Sequence, residues 1–253
     1  MLALANLLQK EGYQVRTMGL LPMEEPDVKE MDAILLPYPF SAKDGKVPSL
    51  SGRSMAVEDI VSERRSDTLV IAGRGYEEGL HYTQADGFEQ RNADLSAEAA
   101  VYEVMQRSEW ALMDLRIVVT GYGRFGRSLA QKLLSLGAET WAAARRPEAI
   151  SQAQADGMHA IQLSELRTVL SKADFVLNTI PAQIITEEEL ALLKPDAWLM
   201  ELASAPYGFD RNKAHEMGLQ TALLPGLPSR YAPQSAALAL QEAVVTLFRE
   251  AER

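Results

Sequence analysis

Six residues, Gly121-Tyr122-Gly123-Arg124-Phe125-Gly126, carry the clearest chemical signal in this chain. An apolar run, Arg116-Ile117-Val118-Val119-Thr120, precedes them, and a helix-period segment follows with Phe125, Leu129, Leu133 and Leu136 on one stripe. Strand, tight turn and helix is the setting in which glycines spaced G-x-G-x-x-G hold a dinucleotide. The first makes the turn, the second lets backbone approach a pyrophosphate, and the third lets helix pack on strand. The N–H groups of the first helical turn, at the positive end of the helix dipole, then face the phosphates. Gly121, Gly123, Arg124, Phe125 and Gly126 are therefore the expected pyrophosphate site, with a bare structural turn as the alternative.

The next strand, residues 139–144, should end near the adenosine ribose. A site for NAD commonly places Asp or Glu there, whereas this chain continues Ala144-Arg145-Arg146. Two guanidinium groups suit a 2′-phosphate, because each offers paired donors to its oxygens. Arg145 and Arg146 thus favour NADP, with NAD still open; the alternative is that one or both are solvated loop charges.

Two further loops should lie at the same strand edge. One is Asn178-Thr179-Ile180-Pro181, in which Asn178, Thr179 and Pro181 are expected at the cofactor. The other is Leu202-Ala203-Ser204, where Ala203 allows close backbone approach to the nicotinamide ribose and Ser204 brings a hydroxyl. Ordinary turn chemistry explains Asn178 and Ser204 equally well. Residues 225–233, with Pro225, Pro228 and Pro233, read as a rigid loop and a wall of a substrate pocket. Acid–base candidates are sparse. His81, His159 and His215 all fall away from the expected cofactor edge, so Asn92 and Glu98, near the start of a connecting helix, are the best polar residues facing a cleft. An exposed helix-terminal acid is an equally good reading of Glu98.

The elements that must position these residues follow from composition and pattern. The chain has 253 residues, 47% hydrophobic and 24% charged, enough for two modest globular domains. A net charge of −10 argues against nucleic acid as a general partner, since phosphate binding needs a basic face. Absence of cysteine excludes disulfides and thiolate metal sites, fits a cytoplasmic protein, and leaves no metal site expected. No run is long enough to span a membrane. Residues 1–93 alternate short strands (13–18, 32–37, 67–72) with helices (2–10, 55–64), which predicts a small parallel α/β domain. The chain opens directly on a helix, so either a leading strand is absent by design or the form is truncated. Residues 94–231 comprise a connecting helix at 94–113 and a doubly wound parallel domain of six or so strands. Its helices include one capped by Ser164 and one opened by the capping box Thr186-Glu187-Glu188-Glu189. Residues 232–253 form an amphipathic helix expected at the domain junction.

Taken together, Asn92 and Glu98, the glycine loop, Ala144-Arg145, Asn178-Thr179-Ile180-Pro181, Leu202-Ala203-Ser204 and Pro225-Gly226-Leu227-Pro228 resemble the A-type subunit of dipicolinate synthase over most of the chain. The resemblance implies a Rossmann-type nucleotide domain beside a smaller flavodoxin-like α/β domain. It implies oxidation of a dihydrodipicolinate-type intermediate to pyridine-2,6-dicarboxylate during sporulation, in the mother-cell cytoplasm, in partnership with a flavoprotein-like B-type subunit. A homo-oligomer is expected. The family's usual amino terminus adds a strand and a glycine-rich loop containing Asp, which do not precede Met1. Where the family has Pro-Thr-x-Glu-Gly this chain has Leu95-Ser96-Ala97-Glu98-Ala99, and an Arg common after the Ala-Ser pair is Ala205. A dicarboxylate substrate calls for arginines, and Arg74 and Arg230 are the loop residues best placed. The other readings are a hydroxyacid dehydrogenase relative, disfavoured by the missing histidine, and a noncatalytic nucleotide-binding subunit.

Overall fold

A computed structural model describes residues 1–18, 28–38, 46–47, 55–73 and 76–251. It divides into two units: residues Met1–Asn92 with Ala232–Arg253, and residues Ala93–Tyr231. The α/β class expected from the alternating pattern is what both units show.

The first unit opens with α1 (Leu2–Lys10), whose Leu4 and Leu8 are buried. A parallel sheet follows, built from β1 (Ala33–Leu35), β4 (Leu69–Ala72) and β5 (Leu80–His81) in the order β1-β4-β5. Between them lie the antiparallel pair β2 (Lys46–Val47) and β3 (Met55–Ala56), and α2 (Val57–Val61). The carboxyl-terminal helix Pro233–Ala251 packs Ala237, Leu240, Val244 and Leu247 into the same core as Leu4, Leu8, Ile71 and Tyr82. Tyr82 is wholly buried, and its hydroxyl donates to the Leu36 carbonyl at 2.9 Å. Two expectations fail here. Residues 13–18 form no strand: Val15 packs against the core and accepts a bond from the Gln9 side-chain amide, but none of them pairs with β1, β4 or β5. Strand propensity yields a strand only where a neighbour supplies ladder partners. Helix α2 is shorter than residues 55–64, because Met55 and Ala56 are used in pairing with Val47 and Lys46.

Helix α3 (Phe88–Arg107) begins directly after Gly87, which has φ +79°, so the helix starts six residues before its expected position and ends six residues sooner. Residues 88–93 carry Glu, Gln, Arg and Asn, which blur the apolar period; Phe88 and Ala93 are nonetheless buried.

The second unit is a six-stranded, wholly parallel sheet. Its elements in chain order are β6 (Arg116–Thr120), α4 (Arg124–Ser135), β7 (Glu139–Ala144), α5 (Pro147–Ala155), β8 (His159–Gln162), α6 (Arg167–Leu170) and β9 (Phe175–Asn178). They continue with α7 (Glu187–Leu190), β10 (Trp198–Glu201), α8 (Arg211–Glu216), β11 (Gln220–Leu223) and α9 (Leu227–Tyr231). Strand order β11-β10-β9-β6-β7-β8 runs outward both ways from β6 and β9, so the chain reverses direction between them. This is the doubly wound nucleotide-binding order, with its switch point between β6 and β9. Buried strands on both faces explain the continuous apolar runs at 117–119 and 175–177. One face packs Ile117, Val119, Leu177 and Met200 under α3 and α4. The other packs Val118, Val176 and Leu199 against the layer holding Leu170, Leu190 and Ala214.

Local signals account for most boundaries. Asp210 caps α8, accepting from the Asn212 and Lys213 amides at 2.9 and 3.2 Å. The Thr186 amide donates to Glu189 at 2.8 Å, completing the expected capping box. Ser164 does not cap a helix; it lies inside a 3₁₀ turn, Leu163–Glu165, where the Gln162 amide bonds Glu165. Residues 225–233 are not a loop throughout, since α9 forms at Leu227–Tyr231 with Pro228 in its first turn, where no amide is needed.

Candidate functional site

The glycine loop has the geometry that dinucleotide binding requires, and each glycine answers a different demand. Gly121 has φ +92°, and a Cβ there would stand 2.5 Å from the Thr179 hydroxyl. Gly126 is buried where α4 crosses the turn, so that an added Cβ would lie 2.1 Å from the Gly121 carbonyl oxygen. Gly123 is exposed, extended at φ −83°, and an added Cβ meets no atom within 4 Å. The outer two glycines are therefore demanded by the fold itself. The middle one faces open space at the start of α4, where a side chain would fill the room that a pyrophosphate needs. Within α4 the first-turn amides have no carbonyl one turn back to accept them, so the donor set fits a diphosphate.

Tyr122, between the glycines, points the other way. It is 6% exposed, and its hydroxyl donates to Asp156 at 2.8 Å. Burial first, and then the Asp156 carboxylate, push its pKa up. Arg127 forks onto both Asp156 oxygens at 2.7 and 3.0 Å, which holds α4 to the end of α5. Ser128 adds a 2.6 Å bond to Asp94 of α3.

At the other side of the switch point the strand ends carry a buried polar row. Thr120, Asn178 and Glu201 are in register across β6, β9 and β10, each with no exposed surface. The Thr120 hydroxyl donates to Asn178 Oδ1 at 2.7 Å, and Asn178 Nδ2 donates to Glu201 Oε1 at 2.7 Å and to the Ile180 carbonyl at 2.9 Å. Glu201 also accepts from the Ala203 amide at 3.0 Å and the Gly208 amide at 2.7 Å. Burial raises the Glu201 pKa, against the pull of these three donors. Gly208 is required, because a Cβ there would stand 2.2 Å from Asn178 Nδ2. Its carbonyl accepts from the Ile184 and Ile185 amides at 2.9 and 3.0 Å, so the loops after β9 and β10 are stitched to one another.

The expected residues divide accordingly. Gly121, Gly123, Arg124, Phe125, Gly126, Thr179, Pro181, Ala203 and Ser204 all stand at the carboxyl edge of the six-stranded sheet, with Gly123, Arg124, Pro181 and Ser204 exposed. Thr179 turns its hydroxyl back onto the Thr120 carbonyl at 2.7 Å. Asn178 lies beneath this surface with its amide wholly engaged. Arg145 and Arg146 follow β7 at the same edge and are exposed. Asn92 and Glu98 share α3 but are six residues apart, about 120° around the axis at 3.6 residues per turn. Glu98 accepts a 3.4 Å bond from the Tyr231 hydroxyl, and the Tyr231 ring packs on Tyr102 with centroids 5.2 Å apart. Arg230 is exposed on α9, and Arg74 lies outside the described residues. Within the second unit no histidine reaches this edge: His159 begins β8 and stacks on Trp141, and His215 bonds Thr221. Sequence reasoning missed Glu201, Gly208 and Thr120. The signal was available in part, since Glu201 and Asn178 both close apolar strands of equal length. Among the described residues no cluster of His, Asp or Glu could hold a metal ion, and no helix is long and apolar enough to cross a membrane.

Comparison with known proteins agrees with this geometry. Residues 83–207 match the family model described as D-isomer specific 2-hydroxyacid dehydrogenase, NAD binding domain. The A-type subunit of dipicolinate synthase from Bacillus subtilis (strain 168) is 24% identical over 241 residues, covering 90% of this chain and 81% of the relative. The solved structure of the corresponding dipicolinate synthase chain from Bacillus halodurans is 28% identical with a TM-score of 0.81, over 90% of this chain and 82% of that one. A transhydrogenase from Sinorhizobium meliloti shares the fold, at 22% identity and a TM-score of 0.67 over 88% of this chain and 75% of that one. The resemblance to dipicolinate synthase that the motifs suggested thus holds along nine-tenths of the chain. The second unit has the Rossmann-type fold, and residues 83–207 are similar to an NAD-binding domain of dehydrogenase type.

Proposed function

We propose that this chain is an NADP-dependent oxidoreductase like the A-type subunit of dipicolinate synthase, which oxidises a dihydrodipicolinate-type intermediate to dipicolinate. The observation that carries the proposal is the open position at Gly123, framed by a turn that only glycine makes and a crossing that only glycine permits. When bound, the oxidised nicotinamide would accept the hydride that leaves the dihydropyridine ring, the accompanying proton passing to water.

The residues of the chain then have separate tasks. The first-turn amides of α4, together with Arg124 and Phe125, hold the pyrophosphate. Arg145 and Arg146, exposed at the end of β7, grip a 2′-phosphate, which favours NADP over NAD. Thr179, Pro181 and Ala203 line the nicotinamide half, and Ser204 offers its hydroxyl there. Asn92 and Glu98 complete the proposed set of polar residues. Arg230 and Arg74 answer the two carboxylates of the substrate. Aromatisation makes the oxidation downhill, so the site needs to hold the ring carbon against the nicotinamide more than it needs a strong base. That fits an edge without histidine, and it counts against the hydroxyacid chemistry of the matched family model. The proposed setting is the mother-cell cytoplasm of a spore former, in a homo-oligomer that works with a flavoprotein-like B-type subunit.

The test is turnover: the purified chain, with and without the B-type subunit, is given NADP⁺ and a dihydrodipicolinate-type substrate while absorbance of the reduced coenzyme is followed. Coenzyme reduction that depends on the substrate supports the proposal. Saturable coenzyme binding without reduction in either mixture would leave a noncatalytic nucleotide-binding protein and refute the enzymatic reading. If Arg74→Ala and Arg230→Ala both leave substrate affinity unchanged, their assignment is wrong.

A further inference from the structure

Glu201 is a carboxylate with no countercharge among the described residues. It closes β10 with no exposed surface, and its hydrogen-bond partners are Asn178 Nδ2 and the Ala203 amide on Oε1 and the Gly208 amide on Oε2. All three are donors, so the cage accepts an ionised carboxylate; a carboxylic acid would aim its proton at another N–H. Rotating Asn178 to offer its oxygen gives no escape. The Ile180 amide donates to Oδ1 at 3.1 Å and the Ile180 carbonyl accepts from Nδ2 at 2.9 Å, and a flipped amide would set donor against donor and acceptor against acceptor. No Lys, Arg or His among the described residues bonds to Glu201. The protein therefore places one negative charge in a low-dielectric position at the end of β10, where neither salt nor a partner cancels it.

The direction in which a coenzyme would lie gives that charge a use. With the pyrophosphate at Gly123 and the adenosine toward Arg145 beyond β7, the nicotinamide half falls on the other side of β6, over the ends of β9 and β10. This inference rests on the coenzyme-binding reading above. We propose that Glu201 sets the site's preference for the oxidation state of its coenzyme, its buried charge favouring the oxidised, cationic nicotinamide over the reduced, neutral one. Oxidised and reduced coenzymes share every phosphate and ribose, so contacts at the glycine loop and at Arg145 are common to both. The ring charge is what distinguishes them, and Glu201 is the buried charge that ends β10 on that side. An oxidising enzyme gains twice from the bias, because substrate coenzyme is retained and product coenzyme is released.

The experiment is a pair of titrations of the full chain, with NADP⁺ and with NADPH, in wild type and in Glu201→Gln. The expected result is that wild type binds the oxidised form more tightly and that the ratio of the two dissociation constants falls about tenfold in the variant, the scale of one charge about 12 Å away at an effective dielectric near 20. A purely structural role would weaken both forms together, so an unchanged ratio overturns the proposal. Glu201→Asp keeps the charge and should keep the ratio even if both affinities drop. Since the Gln amide meets a cage of donors and that variant can fail to fold, a measurement on the wild type also decides. A benzamide analogue of NADP⁺, with a neutral flat ring, should bind about tenfold more weakly than NADP⁺, and equal binding overturns the proposal. Failure of wild type to bind either coenzyme would instead refute coenzyme binding itself.

Discussion

Gly123→Ala separates what the fold needs from what the ligand needs. The residue is extended, at φ −83°, so alanine adopts its backbone without strain, and the new methyl meets nothing within 4 Å. Two small terms act on stability. Removing a glycine restricts the unfolded chain and gains about 0.4–1 kcal/mol, while alanine is a poorer N-cap than glycine and costs a comparable amount. The net change is expected within about 0.5 kcal/mol, a shift in Tm of at most about 2 °C for a chain of this size. Binding behaves otherwise. The methyl occupies the room a pyrophosphate oxygen needs, and each charge-assisted bond that it prevents is worth about 1.5–3 kcal/mol, or roughly tenfold to a hundredfold in affinity. Thermal unfolding without ligand and calorimetric titration with NADP⁺ measure the two effects on one sample. Wild-type stability with coenzyme affinity reduced by at least about tenfold is the expected pair. Wild-type affinity in a stable variant would refute the assignment of this loop to the pyrophosphate.

Gly126→Ala should give the opposite pattern, since its Cβ would press to 2.1 Å on a backbone oxygen at a turn that cannot yield. A loss of about 1–3 kcal/mol or more is expected by thermal unfolding, and a wild-type Tm would contradict the crossing described here. Glu189 links stability to acid. Desolvation raises its pKa, but the Thr186 hydroxyl and amide and the Arg167 guanidinium outweigh it and hold the group at about 2. A depressed carboxylate stabilises the fold above its unfolded value near 4.5, and that contribution, about 3 kcal/mol, is lost as pH falls through about 2. Glu189→Gln should therefore flatten this part of the acid-unfolding profile; a profile parallel to wild type would refute the assignment. Arg145→Ala with Arg146→Ala should lower affinity for NADP⁺ and leave NAD⁺ nearly unchanged, so equal losses for both would remove their role at a 2′-phosphate.

What the sequence reveals depends on the range of the interaction that decides each feature. The strand at 116–120, the three glycines and the helix behind them are fixed by neighbours in the chain, and β7, α5 and the capping box at Thr186 follow from equally local patterns. The first unit is less legible because its outcome depends on distant pairing. Residues 13–18 have strand composition but take no place in the ladder, and α3 begins at Phe88 through a polar stretch that hides its periodicity. Pro228 suggests a loop, yet a first helical turn tolerates it, and α9 forms there. The site shows the same division. The fingerprint stands in six consecutive residues, while the buried row Thr120, Asn178 and Glu201 exists only through the register of three strands drawn from distant parts of the chain. A terminal Glu on a strand reads as a solvated charge until Gly208, seven residues on, is seen to close over it.

The most direct measurement is a calorimetric titration of the wild-type chain with NADP⁺ and NAD⁺ at a stated ionic strength. One saturable site per chain, with NADP⁺ bound more tightly than NAD⁺, is the predicted result. No heat from either coenzyme up to millimolar concentration would contradict it.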